Sequence, residues 1–228
     1  PIGLVNHFAR SIRREINLTR EARTLQQFQR LFRHDATLKV PAVFDEFCTQ
    51  SVLTQEFIEG WRVDHPDDLR QRGLKPEAIA ANGARIFLKQ AFEFGVFHGD
   101  PHPGNIRVMS DGSLCLLDYG MIGVLDDQLR DLLVDILQSI AKRDVTSAVR
   151  GIQQLNRSQI ELDVPVLRAD VRDFIETYYG LRLEELHVGL MLQDFIRIIA
   201  NHGIKCPSDL LLLIRAMITL EGVGKTLS

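Results

Sequence analysis

The spacing of apolar residues alternates along the chain between helical and strand-like periods, and each change marks a new element. From about Val5 to Arg33 the apolar positions Ile12, Ile16, Leu25, Phe28 and Leu31 recur at helical spacing, and Pro41 closes the region. The period then shortens. Val43 to Phe47 and Val52 to Phe57 are rich in β-branched and aromatic residues on either side of Cys48-Thr49-Gln50-Ser51, which predicts two antiparallel strands. Pro76 to Phe94 is helical again, with Pro76 in the first turn, Ile79, Ile86, Phe87, Ala91 and Phe94 on one stripe, and Gly95 at the end. Ile106 to Met109 and Leu114 to Leu117 flank Ser110-Asp111-Gly112-Ser113, whose Asp-Gly pair signals a hairpin. Beyond Gly123 the pattern is helical throughout. Asp126 or Asp127 caps a helix whose stripe is Leu129, Leu132, Leu133, Ile136, Leu137 and Ile140. Further helices are predicted over Val145 to Leu155, Val166 to Tyr179, Leu190 to Asn201 and Ser208 to Glu221. Gly222-Val223-Gly224-Lys225-Thr226 has the look of a phosphate loop, but Thr219 stands where that motif requires its first glycine, so it reads as a helix end.

The candidate chemistry lies in the stretch that leads into and through the hairpin. His98-Gly99-Asp100-Pro101-His102-Pro103-Gly104-Asn105 is followed, thirteen residues after Asn105, by Asp118-Tyr119-Gly120. An acid, an amide five positions on and a second acid beyond a hairpin are the residue types that hold Mg-ATP and orient a phosphoryl acceptor. Mg²⁺ prefers oxygen ligands and is commonly held by one or two side chains plus nucleotide phosphates, which suits Asn105 and Asp118. Asp100 is left for the acceptor, whose hydroxyl it can place in line with the γ-phosphate. Pro101, Pro103 and Gly104 argue for a rigid, non-helical loop. His102 stands where a side chain can reach the nucleotide, and His98 serves the hydrogen bonding of the loop. His98, Asp100 and His102 also form an HxDxH set that can be read as hydrolase metal ligands, a weaker reading given the downstream acid and the lack of a second ligand cluster. Glu56 to Gly60 reads as a hinge whose backbone would meet an adenine edge. The expected architecture is an α+β protein-kinase-like fold, with a partial N-lobe over residues 1–60 and a mainly helical C-lobe over 61–228.

Composition narrows the class. With 27 basic and 30 acidic residues the net charge of −3 gives no global reason to expect nucleic acid, and 45% hydrophobic residues in 228 suffice for a sizeable core. Arg10-Ser11-Ile12-Arg13-Arg14 reads as a solvated helix face, with contact to acidic phospholipid as the minor alternative. Cys48, Cys115 and Cys206 lack CxxC spacing and read as buried thiols in a reducing compartment. The longest apolar stretch, Leu210 to Ile214 resuming at Ala216 to Ile218, falls short of the ~20 residues that span a bilayer.

HGDPHPGN and LLDYGMIGVL resemble the catalytic loop and metal-binding motif of the UbiB/AarF family of atypical kinase-like proteins, with Tyr119 where phenylalanine is common. Glu15-Ile16-Asn17 followed by Arg20-Glu21-Ala22 is similar to that family's acidic motif, and Leu213 to Val223 to its terminal kinase-domain helix. The resemblance implies catalytic roles for Asp100 and for Glu21, the αC-type glutamate that pairs with a phosphate-clamping lysine. It implies Mg²⁺ at Asn105 and Asp118, and nucleotide contacts at Glu15, alongside those expected at Glu56 and His102. Asn17 replaces the family's aspartate and loses a charge there. The implied cofactors are ATP and Mg²⁺. The implied activity is ATPase or phosphotransfer supporting ubiquinone or isoprenoid-lipid metabolism, with a lipid or quinone-precursor ligand and a cytoplasmic location at the inner-membrane surface. An aminoglycoside- or choline-kinase-like phosphotransferase, using similar HGDxHxGN loops, and a catalytically silent nucleotide-binding scaffold are the alternatives. The family's upstream KxGQ helices, alanine-rich loop and strand lysine are missing, and neither Lys39 nor Lys89 has the expected strand context. The chain therefore reads as a fragment that by itself binds nucleotide weakly.

Overall fold

In the computed structural model, which describes residues 17–156, 161–181 and 187–228, helix α1 spans Leu18–Leu31 and begins at a side-chain cap. The Asn17 side-chain oxygen accepts a hydrogen bond from the Thr19 N–H at 3.2 Å, and Asn17 itself is non-helical at φ −87° and ψ 88°. One unbroken helix from Val5 to Arg33 is thereby excluded at Asn17. Glu15 lies outside the described residues.

Six short strands are described: β1 Leu38–Lys39, β2 Trp61–Arg62, β3 Val96–His98, β4 Ile106–Val108, β5 Leu114–Leu116 and β6 Ile122–Val124. Four of them form a sheet in the order β1-β5-β4-β2, and β3 pairs with β6. The expected hairpin is β4–β5, antiparallel with Ile106 opposite Leu116 and Val108 opposite Leu114. Its turn is closed by the Met109 N–H on the Ser113 carbonyl at 2.8 Å, with Gly112 at φ +82°, a left-handed conformation that glycine adopts without a Cβ penalty. Lys39 does lie in a strand, contrary to expectation, because β1 pairs in parallel with β5.

The strand pair expected over Val43 to Phe47 and Val52 to Phe57 is reduced to one bridge, Val43 with Gln55. Residues Asp45–Phe47 instead form a 3₁₀ turn. The turn brings the Asp45 carboxylate to the Gln26 side-chain amide at 2.8 and 2.9 Å, and the Thr54 hydroxyl donates to the Phe47 carbonyl at 2.8 Å. These side-chain bonds compete with a ladder and win over so short a stretch.

The chain divides into two compact units. The first comprises residues up to Lys89, Asp100–Ile122 and Gly222–Ser228. Its core is built from Leu25 and Phe28 of α1, from α2 (Pro66–Gln71) through Leu69, from α3 (Pro76–Leu88) through Ile79 and Ile86, and from the inward faces of the hairpin. Asp35, just beyond α1, ties α3 to this unit: its carboxylate binds Arg85 and Lys89, each at 3.1 Å.

The second unit comprises Gln90–Gly99 and Gly123–Glu221. It carries α4 (Asp127–Ala141), α5 (Val145–Leu155), α6 (Val164–Tyr178), α7 (Val188–Asn201) and most of α8 (Ser208–Leu227). Asp126, Asp144 and Asp163 cap the first three, each accepting from the N–H three residues on, at 2.7, 3.0 and 3.2 Å. Consecutive helices from α4 to α7 pack on one another. Gly151 of α5 sits so close to Ile136 of α4 that a Cβ would fall 2.6 Å from it. Leu137, expected on the buried stripe, is 48% exposed, since it lies about 80° round the helix from Leu129 at ~100° per residue. Gly222 to Thr226 continue α8 to Leu227 rather than ending it at Glu221. Cys115 is buried, whereas Cys48 and Cys206 are only partly so. Among the described residues no helix is long and apolar enough to cross a membrane.

Candidate functional site

The candidate loop begins with Asp100 and is folded on its own backbone. The His102 N–H donates to the Asp100 carbonyl and the Asn105 N–H to the His102 carbonyl, both at 2.8 Å. A 3₁₀ turn, Pro103–Asn105, is capped by His102, whose Nδ1 accepts from the Gly104 N–H at 3.1 Å. The exposed His102 side chain thus contributes to the hydrogen bonding of the loop, and His98 is buried at 1% exposure.

Two bonds draw the three expected groups together. Asn105 Nδ2 donates to the Asp100 carbonyl at 3.2 Å, and the Leu117 N–H, from the return arm of the hairpin, donates to the Asn105 carbonyl at 2.9 Å. Asp118 is the next residue and is exposed; its Oδ1 accepts from the Gly120 N–H at 2.8 Å. The amide orientation of Asn105 that donates to Asp100 leaves its Oδ1 as an acceptor.

Helix α1 holds the other side of this segment. Glu21 Oε1 accepts from the Tyr119 N–H at 3.2 Å, across 98 positions of sequence. The Tyr119 ring, fully buried, packs edge-on against Phe28 with centroids 4.9 Å apart, so tyrosine fills the aromatic position here. Glu21 and Phe28 are seven apart and share a helix face, which is why one helix can grip both the backbone and the ring of Tyr119. Burial pushes the Glu21 carboxyl above its ordinary range, the Tyr119 N–H draws it back, and the Asp118 carboxylate beside it raises it again. Two acids side by side favour a cation between or near them.

Beside the loop, residues Gln55 to Trp61 with Arg107, Ser110 and Leu117 line an open cleft of about 850 Å³. Its floor is covalently joined to the loop, because Arg107 is two residues from Asn105 and Leu117 precedes Asp118. The cleft is within the range that holds small-molecule ligands. Glu56 contributes differently from a free carboxylate: its oxygens accept from Lys39 Nζ at 2.5 Å and from the Ala42 N–H at 3.2 Å. The lysine holds the Glu56 carboxyl below its ordinary range. The Glu56 carboxylate is therefore already engaged beside the cleft. This pairing of Lys39 with Glu56 was not foreseen, and its 17-residue separation gives no local signal.

Among the described residues no three His, Cys, Asp or Glu side chains gather as metal ligands, so the HxDxH set does not assemble one. The oxygen set of Asn105 Oδ1 and the Asp118 carboxylate suits a hard cation that completes its shell with phosphate and water. The structure thus brings together Glu21, Asp100, Asn105 and Asp118, sets His102 in the same loop, and places Glu56 on the adjoining cleft.

Similarity to known proteins extends over most of the chain. Residues 1–151 match the ABC1 atypical kinase-like domain and residues 171–228 the UbiB helical domain. The chloroplastic protein named activity of bc1 complex kinase 1, from Arabidopsis thaliana, is 30% identical over 98% of this chain and 33% of its own length. A second Arabidopsis thaliana relative, activity of bc1 complex kinase 3, also chloroplastic, is 27% identical over 98% of this chain and 31% of its own. The chain thus spans about a third of the length of these relatives. Among solved structures, Rv3197 of Mycobacterium tuberculosis, in complex with erythromycin, aligns with a TM-score of 0.66 at 17% identity, over 99% of this chain and 57% of that one. That likeness concerns the fold, which is α+β and rich in helix. By the span of its domain match, this chain belongs to the ABC1 atypical kinase-like family.

Proposed function

We propose that this chain carries the nucleotide-handling site of an atypical kinase or ATPase that uses Mg-ATP. Residues 1–60 act as the N-lobe part and 61–228 as the C-lobe part of that site. The observation that carries the reading is the pair of bonds through Asn105, from its side-chain amide to the Asp100 carbonyl at 3.2 Å and from the Leu117 N–H to its backbone carbonyl at 2.9 Å, which hold the Asp100 backbone and the residue before Asp118 against one residue. Asn105 and Asp118 would hold Mg²⁺, which when bound neutralises charge on the phosphates. Asp100 orients the acceptor hydroxyl or water toward the γ-phosphate. Glu21 keeps the Asp118 segment in place through the Tyr119 N–H, and the cleft along Glu56 to Gly60 takes the base against backbone groups. His102 stands at the phosphate side of the loop. Glu15 is assigned a nucleotide contact by family resemblance alone.

The names of the relatives point to kinase chemistry, and the acceptor in this reading is a lipid or quinone precursor met at a membrane surface. The test is Asp118→Asn in the full-length protein, read by Mg-ATP hydrolysis and by thermal midpoint. Turnover is expected to fall by about 10²-fold or more at an unchanged midpoint. Unchanged turnover, or a wild-type protein whose midpoint ignores Mg-ATP, would sink the proposal. A midpoint that rises with Mg-ATP in a wild-type protein without turnover would instead favour the scaffold role.

A further inference from the structure

Just upstream of the candidate loop, helix α3 passes into a π-helical turn, Lys89–Glu93, in which Gln90 and Ala91 are buried. Such turns are frequent at functional sites. Gln90 is 1% exposed, so its amide carries a desolvation penalty unless it is bonded. Its Oε1 accepts from the backbone N–H of His98 at 2.9 Å, a bond buried at both ends and bridging eight residues. The orientation of this amide is fixed by its partner, since only oxygen can accept from an N–H. The chain is hemmed in again one residue later. A Cβ on Gly99 would lie 2.9 to 3.1 Å from three carbons of Leu212, so the backbone there runs flush against α8. Asp100 follows immediately, and two residues reach at most about 7 Å. An anchor at His98 therefore limits how far the acid can stray.

We propose that Gln90 is a positioning residue for Asp100, acting through the His98 backbone. This rests on the proposed function for its catalytic consequence, but the anchor itself is measurable without turnover. The bond of Gln90 is to the chain leading into the site, at the His98 N–H. Its effect is on the placement of a group that has to meet the acceptor oxygen, and small misplacements of such groups cost rate rather than nucleotide affinity.

The experiment uses full-length protein with Gln90→Met, which keeps the volume and removes the acceptor, and Gln90→Glu, which keeps an oxygen there. Readouts are kcat and KM for Mg-ATP, and amide exchange of His98 compared with α4. For Gln90→Met, kcat is expected to fall about 10- to 100-fold with KM held within about twofold. The His98 amide should exchange about tenfold faster or more, with α4 unaltered. Gln90→Glu should recover most of the rate and the His98 protection. Wild-type kcat in Gln90→Met, or protection lost equally across His98 and α4, would overturn the proposal, the second result meaning that Gln90 only fills the core. If the wild-type protein shows no turnover, the proposed function fails separately. Equal His98 exchange in wild type and Gln90→Met would then dispose of the anchor.

Discussion

The candidate site and the helical stack are stabilised by opposite kinds of contact. In the first unit the decisive bonds join residues far apart in sequence: Tyr119 to Glu21 across 98 positions, Arg85 to Asp35 across 50. In the second, Asp126, Asp144 and Asp163 each bond three residues away, apolar stripes at helical spacing pack together, and cross-helix bonds such as His202 to Asp170 span 32 positions. The site also crowds acids. Glu21 stands beside Asp118 with its carboxyl raised by burial, a cost that packing elsewhere must offset. In the stack Asp126, Asp144 and Asp163 serve as caps, and Asp170 and Asp194 pair with His202 and the Tyr178 hydroxyl. The Asp118 segment is held by a helix distant in sequence, whereas the starts of three helices of the stack are set by caps within three residues.

Large truncations test this contrast hardest. Phe28→Ala and Ile152→Ala remove side chains that are fully or almost fully buried, at 0% and 2% exposure. The first should cost about 3–5 kcal/mol and the second about 2–5 kcal/mol in denaturant unfolding. Only Phe28→Ala should also depress Mg-ATP turnover among the molecules that remain folded, since Phe28 seats the Tyr119 ring. Equal effects on turnover would erase the distinction between the regions.

Asp35→Asn probes a long-range ionic tie. Arg85 first, and Lys89 with it, hold the Asp35 carboxyl well below the usual carboxylate range. The Arg85 side chain is 46% exposed, so solvent screening limits the loss to about 1–2 kcal/mol. A depressed carboxyl pKa stabilises above its unfolded value of about 3.9 and loses that stabilisation as pH falls toward the lower native value. The stability gap between wild type and Asp35→Asn should therefore be full at pH 7 and shrink below about pH 4. A gap that widens on acidification would contradict the assignment.

Asp144→Ala removes a single local cap from α5 and should cost about 1 kcal/mol. Turnover should not change. A loss of turnover at this position would show that the helical stack controls the site after all.

Local signals carried the helices well. Val145–Leu155 coincides with its sequence prediction, and α6 and α7 each begin two residues earlier than predicted, shifts no larger than the usual fraying of helix ends. The β4–β5 hairpin was legible because Asp-Gly chemistry is local too. The strand pair at 43–57 was not, since side-chain bonds from Gln26 and Thr54 redirected it, and Gln26 lies on a helix 19 positions from its partner. At the site, Asp100, Asn105 and Asp118 could be named from residue type and order alone. That Lys39 occupies the Glu56 carboxylate, and that Gln90 holds His98, could not.

The sequence by itself determined most of the helical stretches, the aspartate cap at Asp126, the hairpin turn and the order of Asp100, Asn105 and Asp118 along the chain, because each depends on residues within a few positions of one another. Tertiary structure alone decided that Glu21 meets Tyr119, that Asp35 gathers two cations and that Lys39 engages the Glu56 carboxylate beside the cleft. Contacts of that kind depend on how separated segments of chain come to lie side by side, and no periodicity or local propensity encodes the distance between them.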